Sequence, residues 1–424
     1  MTTGRQVPTA VDPAQGGAAA PEQRRKLGAL RHRNFTLLWS SLVVSNTGTW
    51  MQTVGQGWLV LELTNSPIYL GLVSLAFAVP MTVLPPLGGA IADRVDKLQL
   101  LKVTQTLSML TAFALAILTL TGLVTVWHII ALAFVGAILL AVDNPTRQSL
   151  LPSLVGREDL MSAISLNSAV FTGAALFGPA VAGFLLEYKG AGGLFLINAI
   201  SYAGVLGALF LMRGVASKPQ LSGLGFSRDV VEGLRFVFTS RLLLILVTVS
   251  ALSGLLGRSY SALLPLFARD VWDVGARGYG ILLSAPGAGA LIGAVGLAMF
   301  GEVRRKGRLL ILSMLAFGMV LIAFSYSPLF WPAVLLLLVG GVLNSLFGTT
   351  IATLIQINAP SRLRGRAMSL YTVTIIGVPS LGAMGTASVA EWLGARDSIG
   401  LAAVLLVVVS LVLLVRAKVL REAG

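Results

Sequence analysis

The sequence contains no cysteine and only two histidines, His32 and His128. The lack of cysteine excludes a disulfide framework, iron–sulfur clusters and thiol catalysis, and two histidines give no support for a histidine-built metal site. We therefore expect neither a metal nor a cofactor. Charged residues make up 11% of the chain, against roughly 25% in soluble domains. Because this is too little charge to cover a globule of this size, the composition predicts that a lipid bilayer covers most of the surface.

Long apolar runs replace the missing charge, and 56% of the 424 residues are apolar. A transmembrane helix needs about 20 mostly apolar residues. The strands of a membrane barrel would instead be segments of about ten residues with alternating polarity, whereas these runs are unbroken. The sequence therefore predicts an all-α membrane protein with twelve transmembrane helices. The twelve runs are residues 35–61, 67–92, 98–121, 126–146, 163–186, 192–212, 242–265, 278–300, 309–326, 330–355, 367–390 and 398–415.

An internal repeat divides these spans into two groups of six. Shifting the sequence by 204 residues superposes Gly178 on Gly382 and Gly190 on Gly394, among eight identities in a short segment. Duplicated sets of spans are the build of many transporters. We therefore predict two pseudo-symmetric six-helix halves, 35–212 and 242–415.

The segments outside the halves have a different composition. Residues 1–34 are rich in Pro, Gly and Ala without an apolar run, so we expect a disordered cytosolic tail. Residues 213–241 contain apolar positions at helical spacing opposite charged ones, a pattern that predicts an amphipathic helix on the membrane surface within a cytosolic linker. Residues 416–424 form a short cytosolic tail.

The basic residues predict the orientation. One set of loops and both tails carry 26 Lys and Arg residues, and the other side holds five. Lys and Arg accumulate in cytoplasmic loops, so we place both termini in the cytosol and the chain in a bacterial-type cytoplasmic membrane. This distribution explains the net charge of +14 without nucleic acid, and we expect no nucleic-acid partner.

The loop between spans two and three carries the first family signature. It reads Gly89, three residues, Asp93, Arg94, and then Lys97. This resembles the loop motif of the major facilitator superfamily, with Asp96 in place of the second Gly. The resemblance implies the major facilitator fold and a gating clasp formed by Gly89, Asp93, Arg94 and Lys97; the alternative is an ordinary solvated loop.

Span five carries a second signature. Gly178, Pro179 and Gly183 form a Gly/Pro interruption that bends a helix and leaves a smooth packing face. It resembles the Gly-Pro motif of the superfamily's antiporters, with Ala182 in place of one Gly. The resemblance favours an exporter, although structural packing alone also explains these residues.

After span four, the segment from Asp143 to Pro152 resembles the enterobactin-exporter-like and macrolide-efflux-like branch. Asp143 and Arg147 are four residues apart and are placed near the membrane edge. A gating or proton role and a local ion pair at a helix end both fit this spacing.

Polar residues inside spans are candidates for function because they are costly in a bilayer. The resemblance implies that spans one, four, seven and ten line a central cavity. Arg258 shares a helical stripe with Ser250, Gly254, Gly257 and Ser261, and we expect it to recognise an acidic or hydrogen-bond-accepting group. For Asn46 and Asn344 the alternative is that they only form hydrogen bonds that join helices. The candidate cavity residues are Asn46, Trp50, Thr53, Gln56, Arg258, Asn344 and Ser345.

The function that follows is export of a small amphipathic molecule, of drug or siderophore type, by alternating access. No Asp or Glu lies near the middle of a span, so proton coupling rests on the family resemblance. An importer or a lipid-moving transporter is the first alternative. A membrane-embedded enzyme would need a cluster of catalytic residues in the spans, which the sequence lacks, so we expect no enzyme. The expected partners are the small-molecule substrate, protons and the bilayer, and we expect a monomer.

Overall fold

The computed structural model describes residues 28–215, 239–300, 305–360, 363–417 and 420. Within these ranges the regular secondary structure is helical. The helices before residue 215 are α1 (Arg33–Thr64), α2 (Pro67–Val83), α3 (Pro85–Arg94), α4 (Lys97–Leu120), α5 (Val126–Leu154) and α6 (Leu160–Leu211). Those after residue 239 are α7 (Arg241–Val271), α8 (Gly275–Phe300), α9 (Lys306–Ser325), α10 (Phe330–Asn358) and α11 (Arg364–Arg416).

Most of these helices are long and apolar enough to cross a membrane. In the described part of the chain eight meet both conditions, and the count is nine if the bent pair α2–α3 forms one span. Helix α1 has 32 residues, about 48 Å at 1.5 Å per residue, and is therefore long enough to cross a membrane. It is not among the eight because polar side chains along one side lower its mean hydropathy. The architecture is that of a helical membrane protein, as the composition predicts.

Helices α6 and α11 each change direction at a glycine. Gly190 has φ 65° and ψ 175°, and Gly394 has φ 83° and ψ 165°. Glycine adopts a positive φ without the strain that a Cβ causes. The two residues are 204 positions apart, the offset of the internal repeat. The same backbone conformation therefore recurs at equivalent places in two helices of 52 and 53 residues.

Two predicted boundaries differ from the structure, and a third prediction lies outside the described residues. The predicted span 67–92 is broken, because α2 and α3 meet at an angle of 48° around Leu84, where two prolines follow. The predicted span ending at residue 146 continues to Leu154, since α5 runs through both Pro145 and Pro152. The amphipathic helix predicted within 213–241 falls mainly on residues 216–238, which lie outside the described residues.

Small residues determine how the helices pack. Gly48 and Gly55 of α1 lie against Asn198 and Phe195 of α6, where a Cβ would overlap the neighbouring side chain. The two largest contacts between the residues before 215 and those after 239 are α6 with α8 and α2 with α11. In the first of them the backbones of α6 and α8 touch at Gly183. These contacts leave a cavity between the two parts of the chain.

Candidate functional site

A cavity of about 750 Å³ lies between the two parts of the chain, a volume typical of small-molecule sites. Helices α1, α2, α4, α5 and α6 contribute one wall, and α7, α8, α9, α10 and α11 contribute the other. Across the described ranges, no group of three or more His, Asp or Glu residues is placed to hold a metal ion.

The predicted polar face of α1 lines this cavity. Asn46, Trp50, Thr53 and Gln56 all contribute to its wall. The Asn46 amide donates to the Leu42 carbonyl over 2.8 Å, so the helix itself satisfies part of this side chain. The Nε2 atom of Gln56 is buried and has no hydrogen-bond partner among the described residues. Gln56 is thus the residue of this face with an unsatisfied donor.

Arg258, a predicted cavity residue, lies in the opposite wall of the cavity. Its Nη1 atom donates to the Ile375 carbonyl of α11 over 3.2 Å. That carbonyl lacks its usual helical donor because the residue four positions later is Pro379, which has no N–H. One N–H of the guanidinium therefore stabilises a proline break, and the group still faces the cavity with its remaining donors.

The predicted stripe around Arg258 is wrong in part. Ser261 lines the cavity with Arg258, whereas the Ser250 hydroxyl bonds the Thr374 hydroxyl over 2.6 Å, and Gly254 and Gly257 pack against α11 and α9. The cause is the irregular path of α7, which has a π-helical turn at Ser253–Gly257. A wider turn rotates the following residues away from the face that a regular helix would give them.

The two candidates in α10 separate. Asn344 lines the cavity, whereas Ser345 lies outside the lining and packs against Gly293 of α8. Consecutive residues of a helix point about 100° apart, so both cannot occupy the same narrow face. The structure therefore supports a cavity position for Asn344 alone.

Asp143 and Arg147 form a buried ion pair in the wall of the same cavity. The Asp143 residue is 2% exposed and Arg147 is 7% exposed. Asp143 Oδ1 also accepts hydrogen bonds from Thr104 Oγ1 at 2.9 Å and Gln105 Nε2 at 2.8 Å, both in α4. These four side chains, Asp143, Arg147, Thr104 and Gln105, are called the acid–base cluster below.

The predicted position of Asp143 near the membrane edge stays a prediction, and the structure places the residue well before the end of α5. The helix continues for eleven residues beyond Asp143 to Leu154, about 16 Å at 1.5 Å per residue. The carboxylate therefore lies inside the bundle and not at its surface. A solvated pair at a helix end does not describe this geometry.

Sequence reasoning missed Thr104 and Gln105. They stand together in the apolar run of α4, and the residue Gln105 is only 5% exposed. Adjacent polar residues in a predicted span were an available signal, since such residues usually face a partner. Which partner they meet depends on the packing of α4 on α5, and this the sequence does not contain.

The loop motif residues lie at the junction of α3 and α4. Asp93 is half-buried and Arg94 is exposed. Asp96, which departs from the family pattern, caps α4 by accepting the Gln99 N–H over 2.8 Å. The Lys97 ammonium donates to the Ser149 carbonyl of α5 over 3.4 Å. The loop is thereby attached to the end of α5 that follows the acid–base cluster.

Gly88, the neighbour of Gly89, makes a close helix approach. A Cβ at Gly88 would overlap the backbone of α5 at Ala141 and Val142, whereas Gly89 has open space around its Cα. The Ala141 carbonyl is four residues before Pro145, so it has no helical donor. Gly88 therefore allows α3 to lie against this break in α5.

We expect Asp93→Asn to lower the turnover rate by about fivefold or more while substrate affinity changes little. A charge at a gate biases which conformation is populated, and a ligand contact sets affinity. Binding and transport should be measured on the same preparation. Asp96→Asn is the matched control, because asparagine also caps helices. A native transport rate in Asp93→Asn would show that the residue is not part of a gate.

Gly178, Pro179 and Gly183 lie within α6, where the backbone departs from helical dihedrals only at Gly190. Gly178 packs against Trp50 of α1, and Gly183 meets the backbone of α8. The glycines therefore form contact faces on two sides of α6. The predicted bend at this motif stays a prediction.

Polar contacts also join the two parts of the chain at the end of the bundle that carries Glu391. Arg277 and Glu187 are each 49% exposed as side chains, and exposed ion pairs contribute about 0–1 kcal/mol. Contacts this weak can break and reform during a transport cycle. They are Arg269 Nη2 to Asn65 Oδ1 (2.6 Å), Ser66 Oγ to Glu391 Oε2 (2.8 Å) and Arg277 Nη2 to Glu187 Oε2 (3.1 Å).

A second depression of about 740 Å³ adjoins these contacts, with walls of both charge signs that include Arg269, Glu391 and Asp397. At this end the Tyr326 hydroxyl donates to Asp397 Oδ1 over 3.1 Å, and this hydrogen bond raises the pKa of Tyr326. Because it lies among the exposed contacts, we regard this depression as part of the closed end of the bundle and not as a binding site.

Comparison with known proteins decides the family. The major facilitator family model described as "Transmembrane secretion effector" matches residues 25–423. The chain belongs to this family. It is therefore a multi-pass membrane transporter and not an enzyme, which confirms both predictions made from the sequence.

Known relatives agree with this assignment. The Staphyloferrin A transporter of Staphylococcus aureus is 29% identical over 342 residues, which cover 78% of this chain and 83% of the relative. The Multidrug efflux pump Tap of Mycolicibacterium fortuitum is 26% identical over 352 residues, covering 79% and 83%. The crystal structure of the nucleoside transporter NupG superposes with a TM-score of 0.75 at 16% identity, over 92% of this chain and 99% of that one. At that identity the likeness shows the fold alone.

Proposed function

We propose that the chain exports small amphipathic molecules in exchange for protons, by alternating access to the cavity between α1–α6 and α7–α11. The observation that carries the proposal is the acid–base cluster in the cavity wall. Asp143 is a buried carboxylate that lines the cavity, and a proton carrier needs a titratable group that the cavity reaches. The names of two relatives, a Staphyloferrin A transporter and a multidrug efflux pump, support small organic cargo.

Alternating access requires a defined number of membrane spans and a defined orientation of the bundle in the membrane. We propose twelve spans in two pseudo-symmetric halves, counting α2–α3 as one span and each arm of α6 and α11 as one. The shared dihedrals of Gly190 and Gly394 support this count. We assign the end with Asp93 to the cytosol and the end with Glu391 to the outside of a bacterial cytoplasmic membrane, with both termini in the cytosol. A single chain provides both walls of the cavity, so the proposed transporter is a monomer.

Cysteine labelling tests this orientation directly. Since the native chain has no cysteine, single substitutions give an unambiguous signal with an impermeant thiol reagent on intact cells. We expect Arg277→Cys to be labelled, and Arg305→Cys to be labelled only after the membrane is opened. Labelling of Arg305→Cys but not Arg277→Cys in intact cells would reverse the assignment of the two ends.

A facilitator-fold importer or a lipid-moving transporter is the alternative function. A growth test distinguishes this alternative from export. A strain that lacks the protein is grown on a panel of toxic amphipathic compounds. We expect the deletion strain to tolerate a lower concentration of at least one compound and to contain more of that compound inside the cell. A lower content in the deletion strain would identify an importer.

A further inference from the structure

The charged residues of the central cavity are unevenly balanced. Within the described part of the lining they are Asp143, Arg147 and Arg258. Asp143 and Arg147 form an ion pair, so their charges compensate one another. Arg258 lies in the other wall, and its one hydrogen bond among the described residues goes to an uncharged carbonyl. The cavity therefore presents one uncompensated positive charge.

A second unsatisfied donor belongs to a cavity-lining residue from the other part of the chain. Gln56 Nε2 is buried without a hydrogen-bond partner among the described residues, and Gln56 lines the cavity. Buried polar groups without a partner are uncommon in native structures, so each one needs an explanation. A ligand that carries acceptor oxygens would supply a partner for each donor.

The rest of the lining suits an aromatic or aliphatic body. Trp50, Phe171, Tyr260, Tyr279 and Phe317 contribute to the walls. Flat apolar walls with a few converging donors bind a molecule that has one polar end. The donors here come from both sides of the cavity, so such a molecule would contact both parts of the chain at once.

We propose that the cargo is an organic anion, an aromatic or aliphatic body that carries an acidic group bound by Arg258 and Gln56. The inference rests on the proposed export function, whose site it makes more specific. It has an energetic consequence. The cytosol is electrically negative relative to the outside, so an anion that leaves the cell moves in the direction favoured by the membrane potential.

This consequence is independent of the proton gradient. At equilibrium one charge gives a tenfold concentration ratio for every 59 mV or so, and about 120 mV would accumulate a monoanion about 100-fold. Export of the anion alone and exchange for a proton are both driven by this potential. A neutral cargo would respond only through the exchanged proton.

Three probes with one scaffold separate the effect of charge from that of shape. They are the dansyl amides of taurine, ethanolamine and aminoethyltrimethylammonium, which end in a sulfonate, a hydroxyl and a quaternary ammonium. Binding to the purified full chain is followed by dansyl fluorescence. We expect the sulfonate to bind about tenfold to a hundredfold more tightly than the alcohol, the range that a hydrogen bond to a charged group provides, and the ammonium to bind most weakly.

Transport of the same probes is measured in proteoliposomes, on molecules whose Asp93 end faces the bath. Potassium and valinomycin impose a lumen-positive potential with no pH gradient. We expect the lumen to accumulate the sulfonate more strongly than the alcohol, since the sulfonate adds its own charge to that of any exchanged proton.

Substitutions locate the effect. Gln56→Glu changes the charge with almost no change of shape and leaves the hydrogen bond of Arg258 to Ile375 intact. It should therefore weaken binding of the sulfonate probe and strengthen binding of the ammonium probe. Gln148→Glu makes the same change at an exposed position outside the cavity lining. The three probes should bind to this variant in the same order of affinity as to the native chain. Arg258→Lys should weaken sulfonate binding and Arg258→Ala should abolish its preference, because a forked guanidinium contact is not replaced by an ammonium.

Each outcome decides one proposal. Equal binding of the three probes, a reversed order, or no binding of any probe would overturn the anion inference, and export would still stand on its own tests. Tight sulfonate binding without accumulation under either a potential or a pH gradient would instead count against export. An unchanged order in Gln56→Glu would show that the charge preference arises elsewhere.

Discussion

Arg147→Ala is expected to abolish proton-driven transport and to lower the free energy of unfolding by about 3–5 kcal/mol. The reason is that Asp143 is 2% exposed, and removal of its ion-pair partner leaves a buried charge with only the neutral donors of Thr104 and Gln105. Thermal unfolding of the purified protein measures the stability, and proteoliposomes with a pH gradient measure the transport.

The double variant Asp143→Asn/Arg147→Gln separates stability from function. Two neutral amides can hydrogen-bond to one another, so we expect the double variant to recover most of the stability that Arg147→Ala loses. Non-additivity of this kind is the sign of a direct interaction. The double variant has no titratable carboxylate at this position, and its transport should no longer respond to a pH gradient. A native pH response in the double variant would show that the pair is structural.

Gly280→Leu is expected to open the contact between α6 and α8. A Cβ at residue 280 would lie 2.8 Å from the Gly183 Cα, so a larger side chain forces the helices apart. Overpacking typically costs about 1–3 kcal/mol, and 1.4 kcal/mol is a tenfold change in a population ratio. The conformation described here, closed at the Glu391 end, should therefore lose population, and transport should fall at least tenfold.

Spin labels at Tyr188→Cys and Arg277→Cys report this change, because the side chains of Tyr188 and Arg277 are in contact across the closed end. We expect the distance distribution to shift to longer values in Gly280→Leu. Gly296→Leu is the control in the same helix, since a Cβ there meets nothing within 4 Å. An unchanged distribution in Gly280→Leu would mean that this contact does not set the closed state.

The sequence predicted the long helices and the repeat because hydropathy and glycine spacing are local properties of the chain. The apolar runs identified the membrane class, and the offset of 204 residues anticipated the equivalent glycines at 190 and 394. The family motifs around Asp93 and Pro179 identified the transporter class. These conclusions needed no knowledge of which helices are neighbours.

The residues that lie next to Pro145, Pro179 and Pro379 show what cannot be predicted from the sequence. The carbonyls freed by Pro145 and Pro379 lie against Gly88 and Arg258, and the one freed by Pro179 lies against Gly287. Each proline was visible in the sequence as a break in helical hydrogen bonding. The residue that occupies each break comes from another helix, so only tertiary packing decides it. For the same reason the sequence did not show that Asp143 is buried within the helix bundle.

Accumulation of the dansyl probes in proteoliposomes, driven by a pH gradient alone, tests the central claim of proton-coupled export most directly. The lumen is made acidic, and only molecules whose Asp93 end faces the bath are counted. We predict that the native chain accumulates at least one probe in the lumen, that nigericin abolishes the accumulation, and that Asp143→Asn/Arg147→Gln shows none. Accumulation that persists without the gradient, or that requires an alkaline lumen, would contradict proton-driven export.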